Sequence, residues 1–231
     1  MRVNAVVVAA GQGTRMGSVV PKPFLSLGGR PLILHTLSCF AASQVHRVVL
    51  VTAAKDLARC EELIRSDPRL RNLECVLQPG GLTRQDSVRH GLKRLDSDCE
   101  VVVIHDGVRP FVSSRLIDRC VDLAFQEGAV AVGTPVRETV KVVTADRRVR
   151  ETPPRDSLWK VQTPQVFRTE IIRKAYDQAE QEGAKATDDA MLVERLGISV
   201  ILLEGERTNI KITVPEDLLF AEALLRDGWV P

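Results

Sequence analysis

The chain of 231 residues lacks the sequence features of disulfide-rich, zinc-binding, membrane-spanning and polybasic proteins. Its five cysteines are scattered, odd in number and without a CxxC pair, which argues against a disulfide framework and favours reduced thiols in a cytoplasmic protein. Its four histidines are isolated and form no readable zinc site. No apolar run is long enough to span a bilayer, and the N-terminus lacks a signal-peptide pattern. The net charge of +2 leaves no polybasic footprint for nucleic acid or membranes.

Acidic residues are missing from the first part of the chain. No Asp or Glu precedes Asp56, whereas that segment holds six cations: Arg2, Arg15, Lys22, Arg30, Arg47 and Lys55. A segment with cations and no acids suits an anion site, although solvated surface cations would produce the same pattern.

The residues that are present alternate between strand-like and helix-like segments. Runs rich in Val, Ile and Leu predict strands at 4–9, 47–52, 73–77, 100–105, 129–134 and 199–204. Amphipathic segments predict helices at 31–43, 55–66, 83–95, 114–127, 169–182, 188–196 and 215–226, the last with a capping box of Thr213 and Glu216. This order predicts one α/β domain over residues 1–231, a Rossmann-like doubly wound fold whose mostly parallel sheet has helices on both faces.

A polar segment interrupts the alternation after residue 134. In "VRETVKVVTADRRVRETPPRDSLW", β-prone stretches at 138–143 and 147–152 flank a turn at 144–147, which predicts a hairpin. The hairpin has little apolar surface to bury, and an isolated two-stranded ribbon is marginal in water. We therefore expect residues of about 136–157 to project as an arm that a second subunit stabilises in a homodimer. A hairpin that lies on its own domain is the alternative.

A glycine-rich turn follows the first strand in "VVVAAGQGTRMGSVVPKPF". Gly11, Gly13 and Gly17 are spaced one residue too far for the dinucleotide fingerprint, and the acid that this fingerprint needs about 20 positions later is absent. The turn also lacks the Gly-Lys-Ser/Thr of a Walker A loop. Its N–H groups can approach an anion, and Arg15 and Lys22 add formal charge. Because fixed cations stabilise charge on a leaving pyrophosphate, the pattern predicts a nucleoside-triphosphate site that performs chemistry.

These residues carry a family resemblance. The strand end A-A-G-x-G-x-R-M and the following P-K-x-F-L resemble the sugar-nucleotidyltransferase fold, and within it the 2-C-methyl-D-erythritol 4-phosphate cytidylyltransferases of the non-mevalonate isoprenoid pathway. The resemblance covers essentially the whole chain. It implies transfer of a cytidylyl group from CTP to 2-C-methyl-D-erythritol 4-phosphate, which gives 4-diphosphocytidyl-2-C-methyl-D-erythritol and pyrophosphate, with Mg²⁺ as cofactor. It assigns transition-state stabilisation to Arg15 and Lys22, and CTP contacts to Ala10, Gly11 and Gly13.

A second glycine turn, "GGLTRQDSV", precedes the helix predicted at 83–95. Glycines before a helix start can direct free N–H groups toward a ligand, and the resemblance implies that Gly81 and Ser87 contact the cytosine of CTP. Leu82 departs from the family, in which a polar residue is frequent. Two glycines before a capped helix are also an ordinary turn.

The motif "HDGVRP" ends the strand predicted at 100–105. Ligands of parallel sheets bind at the carboxyl ends of strands, where Asp106 could take Mg²⁺ or a ribose hydroxyl, or simply cap a turn. The resemblance places Asp106 between nucleotide and acceptor phosphate, with Mg²⁺ held mainly by the CTP phosphates, and it directs Arg109 to the acceptor. Relatives more often read HDAARP, so Gly107 and Val108 are departures.

The resemblance assigns the remaining acceptor contacts to the second half of the chain. Arg155 and Lys211 would position the methylerythritol phosphate, with further contacts from Thr139, Thr163 and Thr187. If the arm is exchanged between subunits, Thr139 and Arg155 would reach the partner's site. A lysine between Ile210 and Ile212 also fits the solvent side of a strand.

Two other functions remain open at this point. Ribitol 5-phosphate cytidylyltransferases have a similar HDxVRP stretch, but they tend to begin A-G-G where this chain reads A-A-G. A nucleotide sensor with a decayed active site should have lost Arg15, Lys22 or Lys211, and all three are present.

Overall fold

A computed structural model of the protein describes residues 1–11 and 20–229. The strands in these ranges are β1 (Val3–Val8), β2 (Ser26–Leu27), β3 (Arg30–Pro31), β4 (Arg47–Thr52), β5 (Glu74–Pro79), β6 (Val101–Asp106), β7 (Ala129–Pro135), β8 (Val142–Val143), β9 (Val149–Glu151), β10 (Trp159–Arg168) and β11 (Ile201–Glu204). The helices there are α1 (Leu32–Ala41), α2 (Leu57–Ser66), α3 (Arg84–Leu92), α4 (Ser114–Glu127), α5 (Thr169–Glu182), α6 (Asp189–Glu194) and α7 (Pro215–Arg226). Among the described helices, none is long and apolar enough to cross a membrane.

Seven of the described strands form one mixed sheet in the order β11-β7-β10-β6-β1-β4-β5. Its neighbouring pairs are parallel except the two that β10 makes with β6 and β7. β1 lies between β6 and β4, with Val8 beside Asp106 on one side and Val51 on the other. The carboxyl ends of these three parallel strands therefore meet at one edge of the sheet.

Both faces of the sheet are covered by helices. Val3, Ala5 and Val7 of β1 belong to a core with α1 and α4, whereas Val6 belongs to a second core with α3, α5 and α6. Successive side chains of a strand point to opposite faces, so a continuous apolar run is the sequence of a strand buried on both sides. The predicted doubly wound α/β fold is confirmed, and each strand and helix predicted above is present within a few residues of its expected ends.

β10 is the main element that the sequence analysis missed. Its middle is polar, with Gln162, Thr163 and Gln165, and so it lacks the apolar run by which the other central strands are found. β10 nevertheless lies between β6 and β7, with a register shift between Val161 and Gln165 and a cis peptide bond at Thr163-Pro164. The sheet is mostly parallel, as predicted, and β10 is the one antiparallel strand among its described strands.

The predicted hairpin is present but shorter than expected. β8 and β9 pair antiparallel, and the Thr144 hydroxyl donates to Asp146 at 2.5 Å within the connecting turn. Val143 and Val149 are 52% and 60% exposed. Two of the three valines of this ribbon are thus largely exposed in the single chain, as an arm that packs on another subunit would leave them.

The start of α7 differs from the predicted capping box. The Asp217 carboxylate, rather than Glu216, accepts hydrogen bonds from the N–H groups of Thr213 at 2.7 Å and Val214 at 2.9 Å. Pro215 is the first helical residue, where its missing N–H costs no hydrogen bond. The N-cap residue is Val214 and not Thr213, so the third helical position, from which a side chain reaches back to the N-cap, is Asp217 and not Glu216.

We predict that Gly91→Ala destabilises the protein although alanine favours a helix. A Cβ at position 91 would lie 2.4 Å from Val6 Cγ1 and 3.1 Å from Val51 Cγ2, both in the buried sheet. Overpacking of this kind costs about 1–3 kcal/mol, against roughly 1 kcal/mol of helix propensity gained. Urea unfolding should show the loss, while Lys93→Ala at the exposed end of α3 should stay within about 0.5 kcal/mol of wild type. A Gly91→Ala protein more stable than wild type would contradict the close packing.

Candidate active site

A cleft of about 510 Å³ opens at the carboxyl ends of β1, β5 and β6. This is the edge where open α/β sheets bind their ligands. The described residues that line it include three cations and one carboxylate, an excess of positive charge that suits an anionic ligand. The lining consists of Val8, Ala9, Ala10, Gly11, Lys22, Pro23, Gly81, Leu82, Thr83, Arg84, Ser87, Asp106, Val108, Lys211, Ile212 and Thr213.

The first glycine turn enters this cleft. Ala10 and Gly11 line it, and a Cβ on Gly11 would meet no atom of the described residues within 4 Å. Gly13 and Arg15, the other predicted site residues of this turn, lie outside the described residues.

Lys22 also lines the cleft, on a short 3-10 turn, Lys22–Phe24. Its ammonium donates to the carbonyl of Thr213 at 2.7 Å, and the residue is only 9% exposed. Buried Phe24 anchors the turn, with the Arg59 guanidinium 4.1 Å above the centre of its ring. Pro21 and Pro23 restrict the backbone on both sides, so the charge of Lys22 is held in place.

The second glycine turn forms another wall. Gly81 N–H donates to the Ser87 hydroxyl at 3.1 Å, and that hydroxyl donates to the carbonyl of Thr83 at 2.9 Å. A side chain on Gly81 would place its Cβ 2.3 Å from Asp86 Cβ, so this close turn requires glycine. Thr83 caps α3 through a capping box with Asp86. The Leu82 side chain is fully exposed at the cleft.

Asp106 forms the floor of the cleft and is surrounded by cations. Its Oδ1 lies 3.1 Å from Arg84 Nε, and its Oδ2 lies 2.8 Å from Lys211 Nζ and 3.6 Å from Arg109 Nε. Burial works to raise the pKa of Asp106, but the charges of Arg84, Lys211 and Arg109 outweigh it and hold the pKa well below its usual range. The carboxylate is therefore ionised at every physiological pH.

Arg109 and Thr163 support this floor from below. Arg109 donates to the carbonyl of Asn209 at 2.8 Å, and the Thr163 hydroxyl accepts from the N–H of Asp106 at 3.1 Å. The same hydroxyl lies 3.0 Å from Nδ1 of His105. Burial lowers the pKa of His105 to about 3, so its ring stays neutral. Both Arg109 and Thr163 are buried, and neither belongs to the cleft lining.

Arg84 is a site residue that the sequence analysis missed. The capping box puts it at the first position of α3, from which its guanidinium spans two carboxylates, Asp106 and Asp189. The cap on Thr83 was a readable signal for the helix start, but nothing in the sequence relates Arg84 to acids 22 and 105 positions away.

Three predicted acceptor residues lie away from the described cleft lining. Thr139 and Arg155 are exposed at the base of the arm, where Arg155 donates to the carbonyl of Arg137 at 3.0 Å. Thr187 is exposed just before α6, and its hydroxyl lies 3.8 Å from the sulfur of Met191. Their assignment to the acceptor stays a prediction.

Asp106 is the one carboxylate among the described residues that line the cleft. Both of its oxygens pair with cations, and residues 1–11 and 20–229 contain no cluster of three or more His, Cys, Asp or Glu that could hold a metal ion. The described part of the cleft thus offers one carboxylate to Mg²⁺, which fits an ion whose other ligands come from a bound triphosphate.

Comparison with known proteins agrees with this geometry. Residues 3–227 match the family model described as IspD, 2-C-methyl-D-erythritol 4-phosphate cytidylyltransferase. Proteins of that name from Desulforamulus reducens and Alkaliphilus metalliredigens are 45% and 42% identical to the chain; the alignments cover 98% of this chain in both cases and 98% and 95% of the relatives. The solved structure of 4-diphosphocytidyl-2C-methyl-D-erythritol synthase from Anaerococcus prevotii superposes with a TM-score of 0.86 at 33% identity, over 97% of this chain and 96% of that one.

The match of nearly the whole chain, together with the cationic cleft at the carboxyl edge of the sheet, shows that the chain belongs to the IspD family of nucleotidyltransferases, the 2-C-methyl-D-erythritol 4-phosphate cytidylyltransferases.

Proposed function

We propose that the cleft binds CTP and 2-C-methyl-D-erythritol 4-phosphate side by side and transfers the cytidylyl group between them. The observation that carries this proposal is the ionised Asp106 at the cleft floor with Lys211, Arg84 and Arg109 around it, together with the ammonium of Lys22, which lines the same cleft. Such a site supplies positive charge for two phosphate-bearing substrates and a carboxylate between them.

CTP occupies the part of the cleft between the two glycine turns. The cytosine lies against Gly81 and Ser87, whose hydrogen bond keeps this wall close to the helix start. The triphosphate lies along Ala10, Gly11 and the glycine turn that contains Gly13, where main-chain N–H groups can donate to phosphate oxygens.

The chemical step needs charge stabilisation more than it needs a protein base. A phosphate oxygen of the acceptor attacks the α-phosphorus of CTP in line, the bond from that phosphorus to the pyrophosphate oxygen breaks, and pyrophosphate leaves. The attacking phosphate is already anionic near neutral pH, so no nucleophilic side chain is required. Lys22 and Arg15 stabilise the charge that develops during transfer, and the buried position of Lys22 strengthens its effect.

Mg²⁺ accompanies the nucleotide as its cofactor. The residue of this chain that would approach it is Asp106, and the other ligands would be oxygens of the triphosphate. Bound Mg²⁺ neutralises phosphate charge and orients the triphosphate.

The acceptor phosphate binds near Lys211 and Arg109, and we keep Thr163 and Thr187 as further acceptor contacts, of which Thr163 lies beside Asp106. Lys211 is 41% exposed on its side chain and pairs with Asp106, so it can turn toward an incoming phosphate without leaving the cleft. Thr139 and Arg155 come from the arm, whose exposed Val143 and Val149 pack on a partner in a homodimer. We place the enzyme in the cytoplasm, where its five free cysteines stay reduced.

The reaction itself is the first test. Purified protein with Mg²⁺ and CTP should release pyrophosphate with 2-C-methyl-D-erythritol 4-phosphate and not with ribitol 5-phosphate or without an acceptor. A preference for ribitol 5-phosphate would keep the fold and the roles of the cations but replace the acceptor. No release with either acceptor would favour a nucleotide-binding protein without transferase activity.

Lys22→Ala should lower kcat far more than it weakens CTP binding, because its charge is needed most in the transition state. Removal of one such charge costs roughly 100- to 1,000-fold in kcat. Steady-state kinetics with CTP titration measure both quantities, and Lys55→Ala, which removes an exposed cation from the same acid-free segment, is the control. Equal losses in kcat and in CTP affinity would contradict the assigned role.

An exchanged arm can be tested by mixing two inactive proteins. If Arg155 acts in the partner's site, an Arg155→Ala subunit and a Lys211→Ala subunit together form one site with both side chains intact. Partial activity should therefore return when the variants are mixed and allowed to exchange subunits. No recovery, despite subunit exchange shown by native mass spectrometry of a tagged and an untagged protein, would mean that Arg155 serves its own subunit.

A further inference from the structure

Asp189 is a buried carboxylate that the transfer mechanism above does not use. It is the first residue of α6 and is 1% exposed. Its Oδ2 lies 2.9 Å from Arg84 Nη2, and its Oδ1 accepts a hydrogen bond of 2.6 Å from the Tyr176 hydroxyl. The side chain thus joins α5 and α6 to the first residue of α3 at the edge of the cleft.

Because Asp189 pairs with Arg84, the Arg84 guanidinium contacts two carboxylates, Asp106 and Asp189. A guanidinium beside a single carboxylate commonly takes both of its oxygens in a bidentate pair. Here Nη2 of Arg84 forms an ion pair with Oδ2 of Asp189 at 2.9 Å, and Nε donates to Oδ1 of Asp106 at 3.1 Å. Oδ2 of Asp106 is therefore not taken by Arg84, and its shortest contact is with the Lys211 ammonium at 2.8 Å, while Arg109 Nε lies farther away at 3.6 Å.

The position of Asp189 is set by hydrogen bonds from two other elements. Gln165 of β10 accepts the N–H groups of Asp189 and Ala190 with its Oε1, both at 3.0 Å. Tyr176 of α5 is buried, and burial together with the neighbouring Asp189 charge raises the pKa of its phenol well above the usual value, so that it stays a donor. The Asp189 carboxylate therefore has little freedom to rotate away from Arg84.

We propose that Asp189 is a positioning residue for the transfer reaction. The ion pair of Asp189 with Nη2 of Arg84 prevents Arg84 from pairing with Oδ2 of Asp106, so this oxygen stays available to Lys211. Asp189 thereby determines where the Lys211 ammonium lies when the acceptor phosphate binds. Without the charge of Asp189, Arg84 is free to pair with both oxygens of Asp106, and Lys211 loses its partner. This inference rests on the proposed role of Lys211 in acceptor binding.

The test is Asp189→Asn, which keeps the shape of the side chain and removes its charge. We expect the KM for 2-C-methyl-D-erythritol 4-phosphate to rise about tenfold and the KM for CTP to change by less than about twofold. A merely structural effect would instead lower the folded, active fraction and leave both KM values unchanged. A wild-type KM for the acceptor overturns the proposal.

Two further variants separate an effect through Arg84 from a general one. In an Arg84→Gln background, Asp189→Asn should cause no additional rise in KM, because the group through which it acts is gone. An undiminished effect in that background overturns the proposal. Asp177→Asn is the matched control: it makes the same change of charge at an exposed acid of α5, next to Tyr176, and should leave both KM values unchanged.

Tyr176→Phe decides the question if Asp189→Asn does not fold. It removes only the hydroxyl that orients Asp189, so the KM for the acceptor should rise by a smaller factor, and only when Arg84 is present. An unchanged KM then overturns the proposal. A wild-type protein without cytidylyl transfer would instead refute the proposed function itself, and with it this inference.

Discussion

The ion cluster around Asp106 is the interaction on which the site depends. One buried carboxylate at the end of β6 holds cations from three other parts of the chain: Arg84 at the start of α3, Arg109 in the loop after β6, and Lys211 before α7. Each charge is costly to bury alone, and removing one partner from such a cluster costs about 3–5 kcal/mol because the others are left uncompensated. The elements that surround the cleft are thus tied together by the same charges that substrates would meet.

The cluster also explains why the cleft carries positive charge for anionic ligands. Arg84, Arg109 and Lys211 face two carboxylates, Asp106 and Asp189, so one positive charge remains when both acids are ionised, and Lys22 adds another from a separate turn. The arrangement is held from below by neutral groups, with Thr163 between His105 and the main chain of Asp106. Because His105 stays neutral, it adds no further charge to the floor. The charged side chains among the described lining residues are three cations and one carboxylate, which suit the binding and stabilisation of phosphate charge.

Much of the fold was readable because burial imposes a simple pattern. A strand covered on both faces is apolar at most positions, and β1, β4, β6 and β7 each contain such a run. β10 escaped the same reasoning because Gln162, Thr163 and Gln165 occupy its middle, and their amides and hydroxyl are satisfied by Asn209, the Asp106 main chain and α6. Buried polar residues are stable only with partners that tertiary structure brings to them, and those partners are far away in sequence.

The sequence by itself determined the alternation of strands and helices, the two glycine turns, the acid-free first segment and the cations Lys22 and Lys211 near opposite ends of the chain. These are local patterns, set by periodicity, turn chemistry and residue type. Only the tertiary structure decided that Lys211 and Arg84 meet at Asp106, that Asp189 shares Arg84, and that a polar strand lies at the centre of the sheet. The physical reason is that charge pairing acts through space, between residues that only the folded sheet and its helices bring together.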